Sequence, residues 1–356
     1  MLLDKIVLVA LPLIILINYL LIRNYKLFFL SMTKDDDFNK PQAFHNKATP
    51  RAGGVLIFIS FMFLIFFFLE KNSFFLKIFS LGSIFFLIGF LADLKFKIKP
   101  HLRLFLMLIL SLFLIYFFDI KIIRTQLAIL DYFINSHRII SAVFICFCIV
   151  FICNGCNFID GFNGLLIIHS MIILSILYFI NYQNSNDDLL KYLIIFLLSS
   201  LVSVLFFNFP RAKIFLGDGG AYFLGIIMSL IVIQLSNINQ IISPFFFACM
   251  LFYIFFEVFF SFFRKIFLNG SPLKPDNKHL HMLFYKWIFY KVKNRDKANY
   301  LTGIFINIFY FIMISPLLFN YKNMTFCKIY FFILLNIYLL SYYFLREKSI
   351  KSKTQG

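Results

Sequence analysis

The sequence predicts an all-α protein, a polytopic membrane helical bundle of about eleven transmembrane helices. Three observations carry that prediction. First, 62% of the 356 residues are hydrophobic and only 14% are charged, with a mean hydropathy of +0.89, far more apolar surface than one water-soluble core could enclose. Second, the apolar residues come in long runs of roughly 17–22 residues, the length of a helix that crosses a bilayer. Third, Lys and Arg collect in alternate connections between those runs, the pattern left by a chain threaded back and forth through a membrane.

Taken in order, the runs centre near Ile14, Met62, Ile84, Leu110, Cys148, Ile173, Val202, Met228, Phe252, Ile308 and Leu335. The first, from about Ile6 to Ile22, follows a single Lys5 and has no small-residue cleavage site after it. It is therefore expected to be a retained span and not a cleaved signal peptide. Residues 23–53, 93–103, 209–217, 263–300 and 346–356 hold 25 of the 34 Lys and Arg. The positive-inside rule places those five segments in the cytoplasm, the amino terminus outside and the carboxyl terminus inside. By alternation, the turn around Asp160 joins them. The net charge of +18 is then a consequence of topology and of attraction to anionic headgroups, so nucleic acid is not needed as a partner.

No stretch between the runs is long enough for a separate soluble domain, and residues 1–356 are expected to form one membrane domain. The largest piece outside the runs, 264–299, is a basic cytoplasmic loop. It contains Pro272, Pro275 and the stretch LFYKWIFYKV, which could lie on the membrane as an interfacial helix. Cys146, Cys148, Cys153 and Cys156 cluster in CFCIVFICNGC, and Cys153-x-x-Cys156 has redox-motif spacing. Three of them sit within an apolar run, where a free thiol behaves as a small hydrophobe.

Four carboxylates stand at or near the ends of greasy helices: Asp93 in GFLADLK, Asp160 in NFIDGFNG, Asp218 in IFLGDGG, and Glu257 in FFEVFFSFFR. Acids held near hydrocarbon are costly and usually mark a site. In KATPRAGGV, Lys47 and Arg51 precede Gly53 and Gly54 at the start of a span, an arrangement suited to phosphate. In NGCNFIDGFNG, Asn157 and Asn163 flank Asp160 and offer hydrogen bonds to a polar ligand or a metal. In NFPRAKIFLGDGG, Asn208, Arg211 and Lys213 lead to Phe215, three residues before Asp218. Such a loop could stack a ring on a base, pair cations with phosphates and hold Mg²⁺ on a hard carboxylate. In SPLKPDNKHLHML, His279 and His281 lie beside Lys274 and Lys278, which favours phosphate recognition over zinc. Glu257 is the weakest of the four acids as a catalytic candidate, because a pairing with a neighbouring helix explains it equally well.

The strings PQAFHNKATPRAGG, GFLADLKFKIKPHLRL, NFIDGFNGL, NFPRAKIFLGDGG and SPLKPDNKHLH occur in this order and at these loop positions. Together they resemble the polyprenyl-phosphate N-acetylhexosamine-1-phosphate transferases, glycosyltransferase family 4, the superfamily of WecA and MraY. The resemblance runs from about residue 37 to residue 285, some seven-tenths of the chain, and the eleven runs suit the WecA-type branch better. It implies a bacterial inner-membrane enzyme with its site facing the cytoplasm. Such an enzyme moves a HexNAc-1-phosphate from a UDP-N-acetylhexosamine onto undecaprenyl phosphate and releases UMP, with Mg²⁺ required; a homodimer is left open. By the same resemblance Phe215 matches the uridine-stacking ring, Asp218 the metal aspartate, Asp160 a second active-site acid and Asn208 a nucleotide-side amide. Asp93 is the second metal candidate, and His279 and His281 stand in the family's histidine motif.

Two departures matter. Ala92 stands where the family carries the first of two adjacent acids, and Ala48 replaces the proline that usually opens the arginine string of the first loop. The chemistry survives the loss of the first acid on physical grounds, because an ionised acceptor phosphate is already a nucleophile and the reaction needs chiefly charge neutralisation. Two other readings stay open: a transporter or flippase, and a catalytically silent UDP-sugar-binding relative, the latter motivated by Ala92.

Overall fold

The structure is a computed structural model, and it describes residues 2–24, 34–35, 49–68, 73–94, 96, 98–268, 271 and 276–354. Among these the chain is almost wholly helical. Two-residue strands β1 (Lys34–Asp35) and β2 (Thr49–Pro50) pair antiparallel. The helices follow as α1 (Leu2–Arg23), α2 (Gly53–Phe68), α3 (Ser73–Asp93), α4 (Pro100–Phe117), α5 (Ala128–Ser136), α6 (Arg138–Ile159) and α7 (Leu165–Asn184). They continue as α8 (Asp188–Asn208), α9 (Gly217–Ile238), α10 (Pro244–Met250), α11 (Phe252–Phe267), α12 (Leu280–Val292), α13 (Arg295–Asn320) and α14 (Met324–Thr354).

Each of the eleven apolar runs is helical at its centre. Eight helices among the described residues are long and apolar enough to cross a membrane, and α10 with α11 makes a ninth if that bent pair is one span. The described apolar parts of α1 and α2 are shorter. A helix closes its own backbone hydrogen bonds, so runs with little amphipathic character can sit in lipid on any face. The protein is a multi-pass membrane bundle.

The run centred near Phe252 is not one straight helix. It bends by 71° at Leu251, between α10 and α11. The carbonyl released at that break is not stranded: Tyr310 Oη on α13 donates to the Met250 carbonyl at 2.6 Å. α5, a short amphipathic helix, fills part of what the sequence suggests is a plain connection.

α9 is the hub. Over its apolar window 72% of residues are buried, against 17% for α4 and α14, and α3, α6, α2 and α7 all pack on it. Small residues make the close approaches, the usual device where lipid supplies no hydrophobic drive between helices. A Cβ at Gly54 would overlap the backbone of Gly220, and one at Gly89 would lie 2.5 Å from the Asp218 carbonyl. α2, α3 and α9 therefore converge at one end, where three of the four acids lie. Cys146, Cys153 and Cys156 are buried as free thiols, with Cys153 against Gly225, in keeping with their packing role.

Candidate active site

The site is built on the turn that opens α9. Gly217 has φ +84°, a left-handed conformation that lets the chain turn from the 209–216 loop into the helix. That turn is held by Asp93, buried at the end of α3, whose Oδ1 accepts the Asp218 N–H at 3.0 Å and Oδ2 the Gly219 N–H at 2.9 Å. A carboxylate bound to the N–H groups of a helix start also meets the positive end of the helix dipole. Asp160, at the C-cap of α6, accepts the Gly217 N–H at 3.2 Å. Two acids far apart in sequence thus brace the backbone beneath a third.

Asp218 carries the cations. Arg51 Nη1 lies 3.3 Å from Asp218 Oδ1 and 3.5 Å from Asp93 Oδ1, bridging the two carboxylates. Arg103 Nη1 donates to Asp218 Oδ2, with its guanidinium 5.4 Å from the Tyr222 ring centroid. Asn157 Nδ2 donates to Asp218 Oδ1 at 2.9 Å. Burial pushes the Asp160 carboxyl well above the usual carboxylate range; Arg51 opposes this, and the Asp218 and Asp93 charges add to it.

The second cluster lies on α11 and α12. His279 Nδ1 is 3.0 Å from Glu257 Oε2, and His281 Nδ1 is 3.8 Å from Oε1. The two imidazoles lie nearly parallel, 5.4 Å apart. Phe158 and Phe162, two residues either side of Asp160, meet His279 and His281 edge-on at 4.9 and 5.8 Å, which sets the histidines beside the Asp160 turn. Burial drives the His281 ring below the usual imidazole range against the pull of Glu257. Asp276 is held low despite its burial, by His279 and by Arg264, which donates to it at 2.8 Å.

Asp93, Asp160, Asp218, Arg51 and Asn157 are therefore brought together, and His279 and His281 adjoin them. Phe215 sits at the neck of the α9 turn, its N–H donating to the Pro50 carbonyl at 2.8 Å. Two of the three asparagines expected to face a ligand also tie loops. Asn208 accepts the Gly164 N–H at 2.6 Å and donates to the Ile214 carbonyl at 2.9 Å, and Asn163 donates to the Pro210 carbonyl at 2.9 Å. Both fasten loops: buried Asn208 meets backbone groups that need partners, whereas the tie of Asn163 to Pro210 is exposed. The start of α2 is likewise not open to a phosphate at its first two donors: Gly53 and Gly54 N–H groups go to the Phe215 and Leu216 carbonyls at 2.9 and 2.8 Å. Arg211 and Lys213 are exposed on the loop, and Lys47 lies outside the described residues.

One residue of the site, Arg103, is not legible as such in the sequence. Arg103 reads in the sequence as one more positive-inside charge, although its place one turn after Pro100 at the start of α4 was a usable signal. Glu257 reads as the weakest of the four acids because a pairing with a neighbouring helix explains it, and its neighbours in the structure, His279 and His281, lie 22 and 24 positions on at the start of α12. Among the described residues no three His, Cys, Asp or Glu side chains converge into a closed metal cage. Hard carboxylates such as Asp218 and Asp93 are the ligand type that a partly hydrated Mg²⁺ takes, one or two at a time, but here the Asp218 oxygens are held by Arg51, Arg103 and Asn157 and those of Asp93 by backbone N–H groups.

The comparisons agree with this architecture. The glycosyl transferase family 4 model matches residues 75–236, from α3 to the end of α9. A phospho-N-acetylmuramoyl-pentapeptide-transferase of Dictyoglomus turgidum is 31% identical over 256 residues, covering 68% of this chain and 71% of that protein. The chain belongs to the polyprenyl-phosphate N-acetylhexosamine-1-phosphate transferase family. Another relative in that family is an undecaprenyl-phosphate alpha-N-acetylglucosaminyl 1-phosphate transferase of Thermotoga maritima, 29% identical over 243 residues, 67% of this chain and 69% of it. A probable undecaprenyl-phosphate N-acetylglucosaminyl 1-phosphate transferase of Bacillus subtilis is 33% identical over 137 residues, 37% of each chain. Family membership makes the chain a bacterial membrane transferase.

Proposed function

We propose that this protein transfers a HexNAc-1-phosphate from a UDP-N-acetylhexosamine to undecaprenyl phosphate, giving polyprenyl-diphosphate-HexNAc and UMP. This would be the first membrane step of a cell-envelope glycan. The observation that carries it is the convergence of Arg51, Arg103, Asp93 and Asp218 at one end of apolar helices in a chain of this family. Two anions must meet at one phosphorus, and only a site holding several fixed charges beside lipid can bring them together.

An oxygen of the acceptor phosphate attacks the β-phosphorus of the UDP-sugar, and the bond from that phosphorus to the UMP oxygen breaks. The acceptor phosphate is largely ionised near neutral pH, so no side chain need remove a proton. Arg51 and Arg103, paired with carboxylates in this state, would turn to the diphosphate and the leaving UMP. His279 and His281 would flank the lipid phosphate at the Asp160 turn, donating to it from Nε2 only when the ring is protonated on both nitrogens. Phe215 would take uracil on its face. Asp218 would hold Mg²⁺, with Asp93 supporting it from beneath; bound there, the ion would supply further neutralisation of the diphosphate. The polyprenyl tail would enter sideways from the bilayer of the inner membrane.

The topology belongs to the same proposal: eleven spans, the amino terminus outside, the carboxyl terminus and the site in the cytoplasm. Stretch 264–299, including α12, would lie on that side. The deciding experiment measures UMP release by purified protein from a panel of UDP-HexNAc donors with undecaprenyl phosphate, with and without Mg²⁺. Release with at least one donor supports the proposal. Binding of the donor with no UMP from any of them would favour the silent relative that Ala92 motivates.

A further inference from the structure

We infer that Glu257 is the residue that positions His279 for the reaction, an assignment that rests on the transferase reading above. Glu257 is 1% exposed on an apolar helix, where a carboxylate without partners would be costly. One side chain gathers a whole turn. Its Oε2 lies 3.0 Å from His279 Nδ1, its Oε1 accepts the Leu280 N–H at 3.1 Å, and the same oxygen lies 3.8 Å from His281 Nδ1. Leu280 is the first residue of α12, so the carboxylate also occupies the positive end of that helix.

The consequence is chemical as well as geometric. A carboxylate accepts hydrogen bonds only, so the Nδ1 of His279 must carry the proton that faces it, and ring orientation and tautomer are set together. Tyr253 Oη, one helical turn before Glu257, lies 3.3 Å from His281 Nδ1 and holds the second ring on the same side. For both histidines the Nδ1 edge is thus committed to α11. His281 Nε2 has no hydrogen-bond partner among the described residues, and His279 Nε2 is 3.6 Å from Asp276 Oδ1, beyond a good hydrogen bond. The Nε2 edges are the ones not tied to α11, that of His281 being buried. A second tie on the same helix, Arg264 to Asp276, fixes the loop but touches neither Nδ1. Orientation of the His279 imidazole falls to Glu257, and that of His281 to Tyr253 on the same helix.

The test uses the full-length protein. Glu257→Gln keeps size and shape but can present an amide N–H to His279 Nδ1, which then must accept, and the tautomer reverses. The expected result is a folded protein whose kcat for UMP release falls about 10–100-fold, as for other partners that orient working histidines. The KM for the UDP-sugar should stay within about threefold on the same grounds. In the ¹⁵N-histidine NMR spectrum the His279 signals, assigned by their loss in His279→Gln, should move to the other tautomer. A Glu257→Gln protein with wild-type kcat, or with unmoved His279 signals, would overturn the assignment. If Glu257→Gln does not fold, Glu257→Asp carries the test, since its carboxylate is drawn back by one methylene: lowered kcat with displaced His279 signals supports the inference, and wild-type values of either overturn it. If wild type releases no UMP from any donor, the transferase reading fails by itself, and the NMR comparison still decides whether Glu257 orients the ring.

Discussion

Replacing Gly217 by alanine is the sharpest test of the site's architecture. The residue has φ +84°, where an L side chain costs about 1–2 kcal/mol. A Cβ there would also stand 2.6 Å from Asp93 Oδ2 and 3.0 Å from both Cγ and Oδ1, so Asp93 must move. Asp93 holds the N–H groups of Asp218 and Gly219, and losing even one such bond to a charged group costs about 1.5–3 kcal/mol. The two effects together reach about 2.5–5 kcal/mol. If that loss falls on the geometry of the reacting complex, it is worth about two to nearly four orders of magnitude in rate. Gly161→Ala is the control from a neighbouring loop, since its Cβ would meet nothing within 4 Å. Initial rates of UMP release at saturating substrates, measured beside thermal unfolding in detergent, should show Gly217→Ala nearly inactive and Gly161→Ala close to wild type. A Gly217→Ala protein within threefold of wild type would refute the role given to the Asp93 lock.

Three further outcomes are expected. Arg103→Met removes one of two guanidiniums from Asp218 while Arg51 and Asn157 remain, so kcat/KM should fall about 10–150-fold, matching the loss of one hydrogen bond between charged groups; an unchanged value in steady-state assays would make Arg103 a packing residue. Phe215→Ala should raise the KM for the UDP-sugar more than that for the lipid, by the equivalent of about 1–3 kcal/mol of stacking; equal effects on both substrates would mean that Phe215 only packs. Ala92→Asp should change the rate of a wild type that already turns over with Mg²⁺ by less than about tenfold, because charge stabilisation and positioning dominate this class of transfer. An inert wild type rescued by Ala92→Asp would reverse that reasoning.

What the sequence determined by itself was everything that depends on local composition. Apolar runs must become helices in lipid, because no other open segment satisfies its own backbone there, and each run centre from Ile14 to Leu335 is helical. Acids at run ends were costly enough to mark Asp93, Asp160 and Asp218, and ordered motifs were enough to point to the family. The tertiary structure decided which groups share a charge. Arg103 is 115 residues from Asp218, and nothing local distinguishes it from a topology-setting cation until α4 is packed beside α9. Glu257 changes from the least promising acid to the holder of His279 only when α11 meets the start of α12. The same holds in reverse for Asn208, whose amide suits a ligand in the sequence but is taken up at both ends by the folded loops. The bend at Leu251 has no proline to announce it, and it stands because Tyr310 on another helix takes the freed carbonyl. A residue's type fixes what it can bond to; only packing fixes which partner arrives, and in a low-dielectric interior that choice sets its role.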